Sequence, residues 1–342
     1  IPVVGTYVSF FAFGGEFPGD EFISRLYGIH ILLIPGIILG LITAHMLIVW
    51  YQKHTQYPGK GKTNDNVVGY PFMPVYMAKA GGFFFIVFGI TVFLSGVATI
   101  NPIWAYGPYV PDQITAGSQP DWYMGWLEGA LRAMPNWETT LWGHTISWNV
   151  LIPGAVVLGV IINLMLIYPW LEAKVTGDKR EHHLLDRPRN APTRTGIGVM
   201  SLTFYMMLLI GGGNDIIASQ FNLSINAITW AIRIGIFILP PISFVITKRI
   251  CLSLQRRDRD KLLHGRETGS IMRLPEGAFV EVHAPLSDNE KAVILSKTDI
   301  TPLPWPEKVD ENGVKDPQYK KDHRWARLSH WFFSDNVPKP TA

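Results

Sequence analysis

His30 and His45 lie 15 residues apart within one apolar run, roughly 26–50. An ionisable side chain inside such a run is costly and is usually kept for function. At ~1.5 Å per residue the pair is ~22 Å apart, and at ~100° per residue the two point ~60° apart, near enough to one face. Pro35 stands between them and is expected to kink the helix and change that angle. No single zinc site has ligands so far apart, but two separate sites do. Imidazole nitrogen is an axial ligand of haem iron, and two haems stacked across a bilayer fit the separation. A pair of histidines hydrogen-bonded to neighbouring helices fits it too, so spacing alone leaves both readings open. For haem, the second ligand of each iron must come from another helix, and no other span in this chain offers a central histidine pair.

The elements that must hold these residues are membrane helices. Five segments reach the ~20 mostly apolar residues that cross a bilayer: roughly 26–50, 80–100, 147–170, 195–213 and 226–247. The average composition, 48% hydrophobic and 17% charged, hides this division. The last 92 residues, from Cys251 on, hold 29 of the 57 charges, so the first 250 carry only 28. Basic residues crowd the 51–79 and 171–194 connections and the exit of the last span, whereas 101–146 has only Arg132 and 214–225 has none. That alternation puts the basic loops and the polar tail in the cytoplasm, and residue 26 near the outer side. An odd span number, an outer start and Ile1 in place of Met lead to the expectation of further sequence upstream. A single cysteine excludes a disulfide framework, a cysteine zinc site, an iron–sulfur cluster held by this chain alone and a c-type haem attachment. A net charge of +3 gives no argument for nucleic acid.

The connection 101–146 is long for a compact domain, and loops of that length are usually functional. It is rich in aromatic residues: Trp104, Tyr106, Tyr109, Trp122, Tyr123, Trp126, Trp137 and Trp142. Part of this is the ordinary interfacial belt. The stretch 121–134 has helical spacing and is expected to lie along the surface.

Arg25-Leu-Tyr-Gly-Ile-His30 followed by His45 resembles the fourth transmembrane helix of cytochrome b from respiratory bc complexes. The 15-residue spacing is like that of chloroplast-type members; the mitochondrial spacing is one shorter. Ile1-Pro2-Val3-Val4-Gly5-Thr6 and Phe13-Gly14-Gly15 resemble the approach to that helix. Asn101-Pro102, Pro120-Asp121-Trp122-Tyr123 and Leu131-Arg132-Ala133-Met134-Pro135-Asn136 resemble the family's outer quinol-site loop, with aspartate in place of the usual glutamate. The likeness covers roughly 1–250. The aspartate, Asn214-Asp215-Ile-Ile-Ala and the long tail look most like actinobacterial members.

The resemblance implies an all-α integral membrane protein with about five transmembrane helices, the C-terminal part of an eight-helix cytochrome b, plus a polar, mostly irregular cytoplasmic tail. It divides the chain into 1–50 with the haem-binding helix, 51–250 with outer loop 101–146, and extension 251–342. It implies a quinol–cytochrome c reductase subunit of the bacterial plasma membrane, with two b-type haems and menaquinol or menaquinone. His30 would ligate the low-potential haem and His45 the high-potential one. Arg25, Trp122, Tyr123 and Lys79 would line the cofactor and quinone sites. Asp121 stands where the family's proton-accepting carboxylate stands, and partial burial would raise its pKa towards working pH; the residue would equally serve as an N-cap. Glu128 replaces a tyrosine of mitochondrial members. It lies ~two helical turns beyond Asp121 and on the same face, so it reads as a second quinol-facing carboxylate or as an interfacial acid. His144 is a further proton-exit candidate. At the inner side Trp50 and Ala80 depart from the family pattern, leaving His54 and Lys79 as candidates, with snorkelling as the plain reading of Lys79.

Implied partners are a Rieske iron–sulfur protein, a dihaem cytochrome c subunit, a haem-copper oxidase in a supercomplex, a second copy in a homodimer, and lipids, with no nucleic acid. Two other readings suit the membrane histidines: a b-haem anchor of a quinone-linked dehydrogenase, and a proton-coupled transporter using His30, His45 and Arg233. The role of Arg233 is open. Pro240-Pro241 is expected to break or kink the last span. The tail, with strand-like Ala278-Phe-Val-Glu-Val-His283, reads as an irregular extension or a small folded domain.

Overall fold

The computed structural model describes residues 3–15, 21–98, 119, 121–296, 300–309, 313–333 and 337–338. The motifs Ile1-Pro2 and Asn101-Pro102, and Pro120, Trp104, Tyr106 and Tyr109, lie outside the described residues. After a short helix α1 (Val4–Phe13), the five expected spans are α2 (Phe22–Gln52), α3 (Phe72–Val97), α5 (Trp148–Thr176), α6 (Pro192–Gly212) and α8 (Ile225–His264). Each is long and apolar enough to cross a bilayer, with mean hydropathy of 1.6 to 2.7 over its most apolar stretch. Loop helices α4 (Gly125–Ala133) and α7 (Asn214–Phe221) join them.

The most apolar stretches of α2 and α3 bury nothing inside this chain, so both present their whole surface to lipid or to other polypeptide. The core lies elsewhere. Trp126 and Ala130 of α4 pack on Leu208 of α6, flanked by Val157 and Leu158 of α5. A hairpin leads from α4 into α5. Its strands β1 (Glu138–Leu141) and β2 (His144–Ser147) pair antiparallel. Trp142 and Gly143, both at positive φ, make the two-residue turn whose twist suits a hairpin.

Of the break or kink expected in the last span, the break is absent. Pro240 and Pro241 do not break α8, which runs 40 residues to His264. Two prolines free two carbonyls, those of Ile236 and Phe237, but regular turns on both sides hold the helix. Position 250 therefore falls inside a helix. The tail also carries more regular structure than its sequence announces: β3 (Arg266–Arg273) paired with β4 (Phe279–Ala284), α9 (Asp288–Leu295) and α10 (Tyr319–Phe332).

Connections meet as alternating crossings require. Gln56 of the 51–79 loop bridges to Leu184 of the 171–194 loop. Lys60 pairs with Asp288 of the tail at 2.8 Å. Asp258 of α8, 3% exposed, is held by Arg187 at 3.0 Å and Arg189 at 3.1 Å. On the opposite side, Arg132 meets Asp215.

Candidate functional site

The loop helix α4 reaches its place through glycine. A Cβ on Gly129 would stand 1.7 Å from the Leu208 carbonyl oxygen, and one on Gly212 would stand 2.2 Å from that of Gly125. Gly125 and Gly129, one turn apart, thus let the backbone of α4 lie directly on the end of α6, the close approach that small residues permit between membrane helices. Within 121–134 the helix itself begins only at Gly125, and Trp126 and Ala130 on one face of it are core residues.

Charge then fixes the orientation of α4. Arg132 donates from Nε to Glu128 at 3.0 Å, and from Nη1 to Asp215 at 2.7 Å and to the Asn214 side chain at 2.8 Å. Gln119 donates to the other oxygen of Asp215 at 2.7 Å. Burial works against the Arg132 charge, but the bonds to Asp215 and Glu128 outweigh it and raise its pKa. Burial likewise works against the Asp215 carboxylate, yet Arg132 and Gln119 hold it below its ordinary range. Arg233 of α8 donates from Nε to the Ala133 carbonyl at 2.7 Å, satisfying the end of α4. Its partner lies 100 residues away, which is why the sequence left its role open.

Asp121 precedes this helix in a turn. It is exposed and accepts a hydrogen bond from the Tyr123 hydroxyl at 2.7 Å, which raises the phenol's pKa. Two expectations change here. Asp121 is not partly buried within this chain, and it does not share a helical face with Glu128, because the turn at 122–124 interrupts the helical phase. Nor is it an N-cap, since the N-cap of α4 is Met124, without a side-chain cap. Glu128 is bound to Arg132 through Oε1 and shares no hydrogen bond with Asp121. Trp122 and Tyr123 are exposed. His144 lies in β2 and is exposed.

The two histidines of α2 need a different count from that of a plain helix. Residues Ile29–Leu33 form a π-turn, with the Ile34 N–H reaching back to the Ile29 carbonyl. Pro35 explains it: a proline cannot donate to the carbonyl four residues back and its ring crowds that carbonyl, so the turn before it widens. A π-turn takes up one extra residue. Fifteen sequence steps therefore act as about fourteen helical ones, giving a rise of ~21 Å and an angular offset of ~40°. The expected single face survives, reached by a bulge as well as by the proline. Neither imidazole has a hydrogen-bond partner among the described residues, and both are exposed on an apolar helix. Among the described residues no three metal-ligating side chains converge. An imidazole at each of two levels is a donor that could hold a b-type haem.

At the basic-loop end, the His54 and Tyr76 rings lie 5.9 Å apart and Lys79 Nζ lies 3.9 Å over the Tyr70 ring. Arg25 pairs with Glu21 at 2.6 Å, one turn before His30. The residues that sequence reasoning missed are Gly125, Gly129, Gly212 and Gln119; the Gly-x-x-x-Gly spacing in α4 was the readable signal.

Residues 1–108 match the family model described as cytochrome b (N-terminal)/b6/petB. The whole chain is similar, at 56% identity, to a cytochrome bc1 complex cytochrome b subunit of Streptomyces coelicolor, and spans 63% of that protein. Similar subunits of Corynebacterium efficiens and Mycobacterium bovis are 51% and 52% identical over 84% of this chain, which there spans 52% of each.

Proposed function

We propose, from the likeness of the whole chain to a cytochrome bc1 complex cytochrome b subunit of Streptomyces coelicolor, that it forms part of a quinol:cytochrome c oxidoreductase. It oxidises menaquinol beside the loop carrying Asp121. Electrons then pass by two levels on α2 to a quinone near His54 and Lys79. The observation that carries this reading is the pair of imidazoles ~21 Å apart on one apolar helix, without hydrogen-bond partners among the described residues. When bound, two b-type haems supply one-electron carriers at those levels.

The residues of this chain divide the remaining work. His30 and His45 each give one imidazole ligand. Asp121 accepts a proton from a quinol hydroxyl at the carboxylate oxygen that now accepts from Tyr123. Tyr123 and Trp122 shape the mouth of that site. Glu128 offers its second oxygen as a later acceptor, while Arg132 keeps the first occupied. His144, exposed in the hairpin, lies on the exit side. Arg25 would border a haem held by His30, and Lys79 and His54 bind and protonate the quinone on the opposite side. The 101–146 loop faces outward and the tail lies in the cytoplasm of a bacterial cell. The acceptors outside are a Rieske iron–sulfur protein and a dihaem cytochrome c subunit, within a homodimer joined to a haem-copper oxidase.

The test is a reduced-minus-oxidised spectrum of the full-length subunit in its complex. Wild type gives two b-type components, and His30→Ala loses the lower-potential one while keeping the other. Retention of both components in that variant would overturn the ligand assignment, and absence of any b-type band in wild type would overturn the function.

A further inference from the structure

We propose that α10 carries a seat for the headgroup of an anionic phospholipid. The helix is anchored along one side. Ala326 and Ser329 are 1% and 0% exposed, the Ser329 hydroxyl accepts from the Leu303 N–H at 3.0 Å, and Trp331 stacks on Phe244 with ring centroids 6.3 Å apart. Lys174 Nζ lies 4.5 Å over the Trp325 ring.

Phe244 sets the depth. It stands in the last apolar turn of the span, just before the basic exit that begins at Lys248. Lys248, one turn further on, is the first charge after that apolar stretch, and its Nζ is 5.7 Å from the Phe244 ring. Trp331 is 46% exposed and therefore places an indole at the boundary where tryptophan collects. Arg327 is ~6 Å and Arg324 ~10 Å back along the helix, the thickness of a headgroup layer plus the reach of an arginine.

An exposed stripe of α10 runs through Lys320, Arg324, Arg327 and Leu328 to Trp331 at helical spacing, its last member resting on Phe244. The last four line a shallow recess of about 400 Å³. Among the described residues no carboxylate pairs with Arg324 or Arg327, whereas Arg132, Arg180, Arg187, Arg189 and Arg194 all have one. Two guanidinium forks beside an apolar floor, at the depth of lipid phosphates, match a phosphodiester above and its acyl chains below. Charge selects the anionic lipid over the zwitterionic one.

The test uses the full-length complex in nanodiscs of phosphatidylcholine doped with brominated phosphatidylglycerol or brominated phosphatidylcholine. The signal is the fluorescence lost on Trp331→Phe, which isolates Trp331. Brominated phosphatidylglycerol should quench it at about tenfold lower mole fraction than brominated phosphatidylcholine. Arg324→Gln with Arg327→Gln should abolish that preference while leaving quenching by the neutral lipid unchanged, and the paired lysine variant should restore part of it. Millimolar inorganic phosphate should not compete. Equal quenching by both lipids in wild type overturns the proposal. So does quenching by neither, the result expected if another subunit covers this side, and so does displacement by free phosphate.

Discussion

A methyl group on Gly129 has nowhere to go. Its Cβ would meet the Leu208 carbonyl oxygen at 1.7 Å and the Gly212 nitrogen at 2.7 Å, both of them backbone. Rotamer changes cannot relieve a clash between two main chains, so α4 must retreat from α6 until that contact reaches an ordinary distance of ~3.5 Å, a shift of about 1.8 Å. The Arg132–Asp215 bond, 2.7 Å in the native loop, would stretch past hydrogen-bond range, and the turn bearing Asp121 and Tyr123 would move with the helix. A displacement of about 1 Å at a reacting centre costs on the order of 10²-fold in rate, and overpacking destabilises by about 1–3 kcal/mol. Gly129→Ala should therefore lower the kcat/KM for quinol by about 10²-fold, with the b-haem spectrum retained because both histidines lie on α2. Gly198→Ala, on the same helix α6 but facing open space, should be silent in steady-state quinol oxidation. Near-native turnover by Gly129→Ala, with haem content intact, would refute the view that backbone contact positions this loop.

Asp215→Asn should loosen the 119–134 loop by ~0.5–1 kcal/mol, a figure reduced because Asp215 is partly exposed. Limited proteolysis of the loop would read it. The Asp215 carboxyl is held below its ordinary range, so its contribution is present above the unfolded value near ~4 and is lost as pH falls through the folded value. Wild type, but not the asparagine variant, should thus show added loop cleavage under acid conditions. Asp258→Asn removes the carboxylate between Arg187 and Arg189 and should cost about 3–5 kcal/mol of tail docking, as for a broken buried pair. A lowered melting temperature of the complex and faster tail proteolysis would register it, and unchanged values would show that the ion pair is incidental.

What was legible in the sequence follows from what is local. Five apolar runs declared five spans because each spans a bilayer by itself, and the sidedness of Lys and Arg declared which connections meet. The two histidines and the Pro-Asp-Trp-Tyr turn announced the candidate chemistry. The partners that fix those residues were hidden, since they come from distant positions: Asp215 for Arg132, the Ala133 carbonyl for Arg233, Asp258 for Arg187 and Arg189. In the sequence Arg187 and Arg189 counted only as positive charge. The position of Asp121 relative to Glu128 was misjudged because helical phase was carried through residues that form a turn. Pro240-Pro241 failed as a breaker because a long helix tolerates two missing donors when its flanks are regular.

The widened turn at Ile29–Leu33 bears on how relatives should be compared. An insertion in a helix ordinarily rotates everything beyond it by ~100°, which would carry a second ligand to the wrong face. Here the insertion is confined to a single loosened turn, and the downstream face keeps its bearing. Two chains whose histidines stand 14 and 15 positions apart can then hold them alike in space. A gap in their alignment marks a local bulge, and residue counting alone misjudges the distance and angle between such ligands.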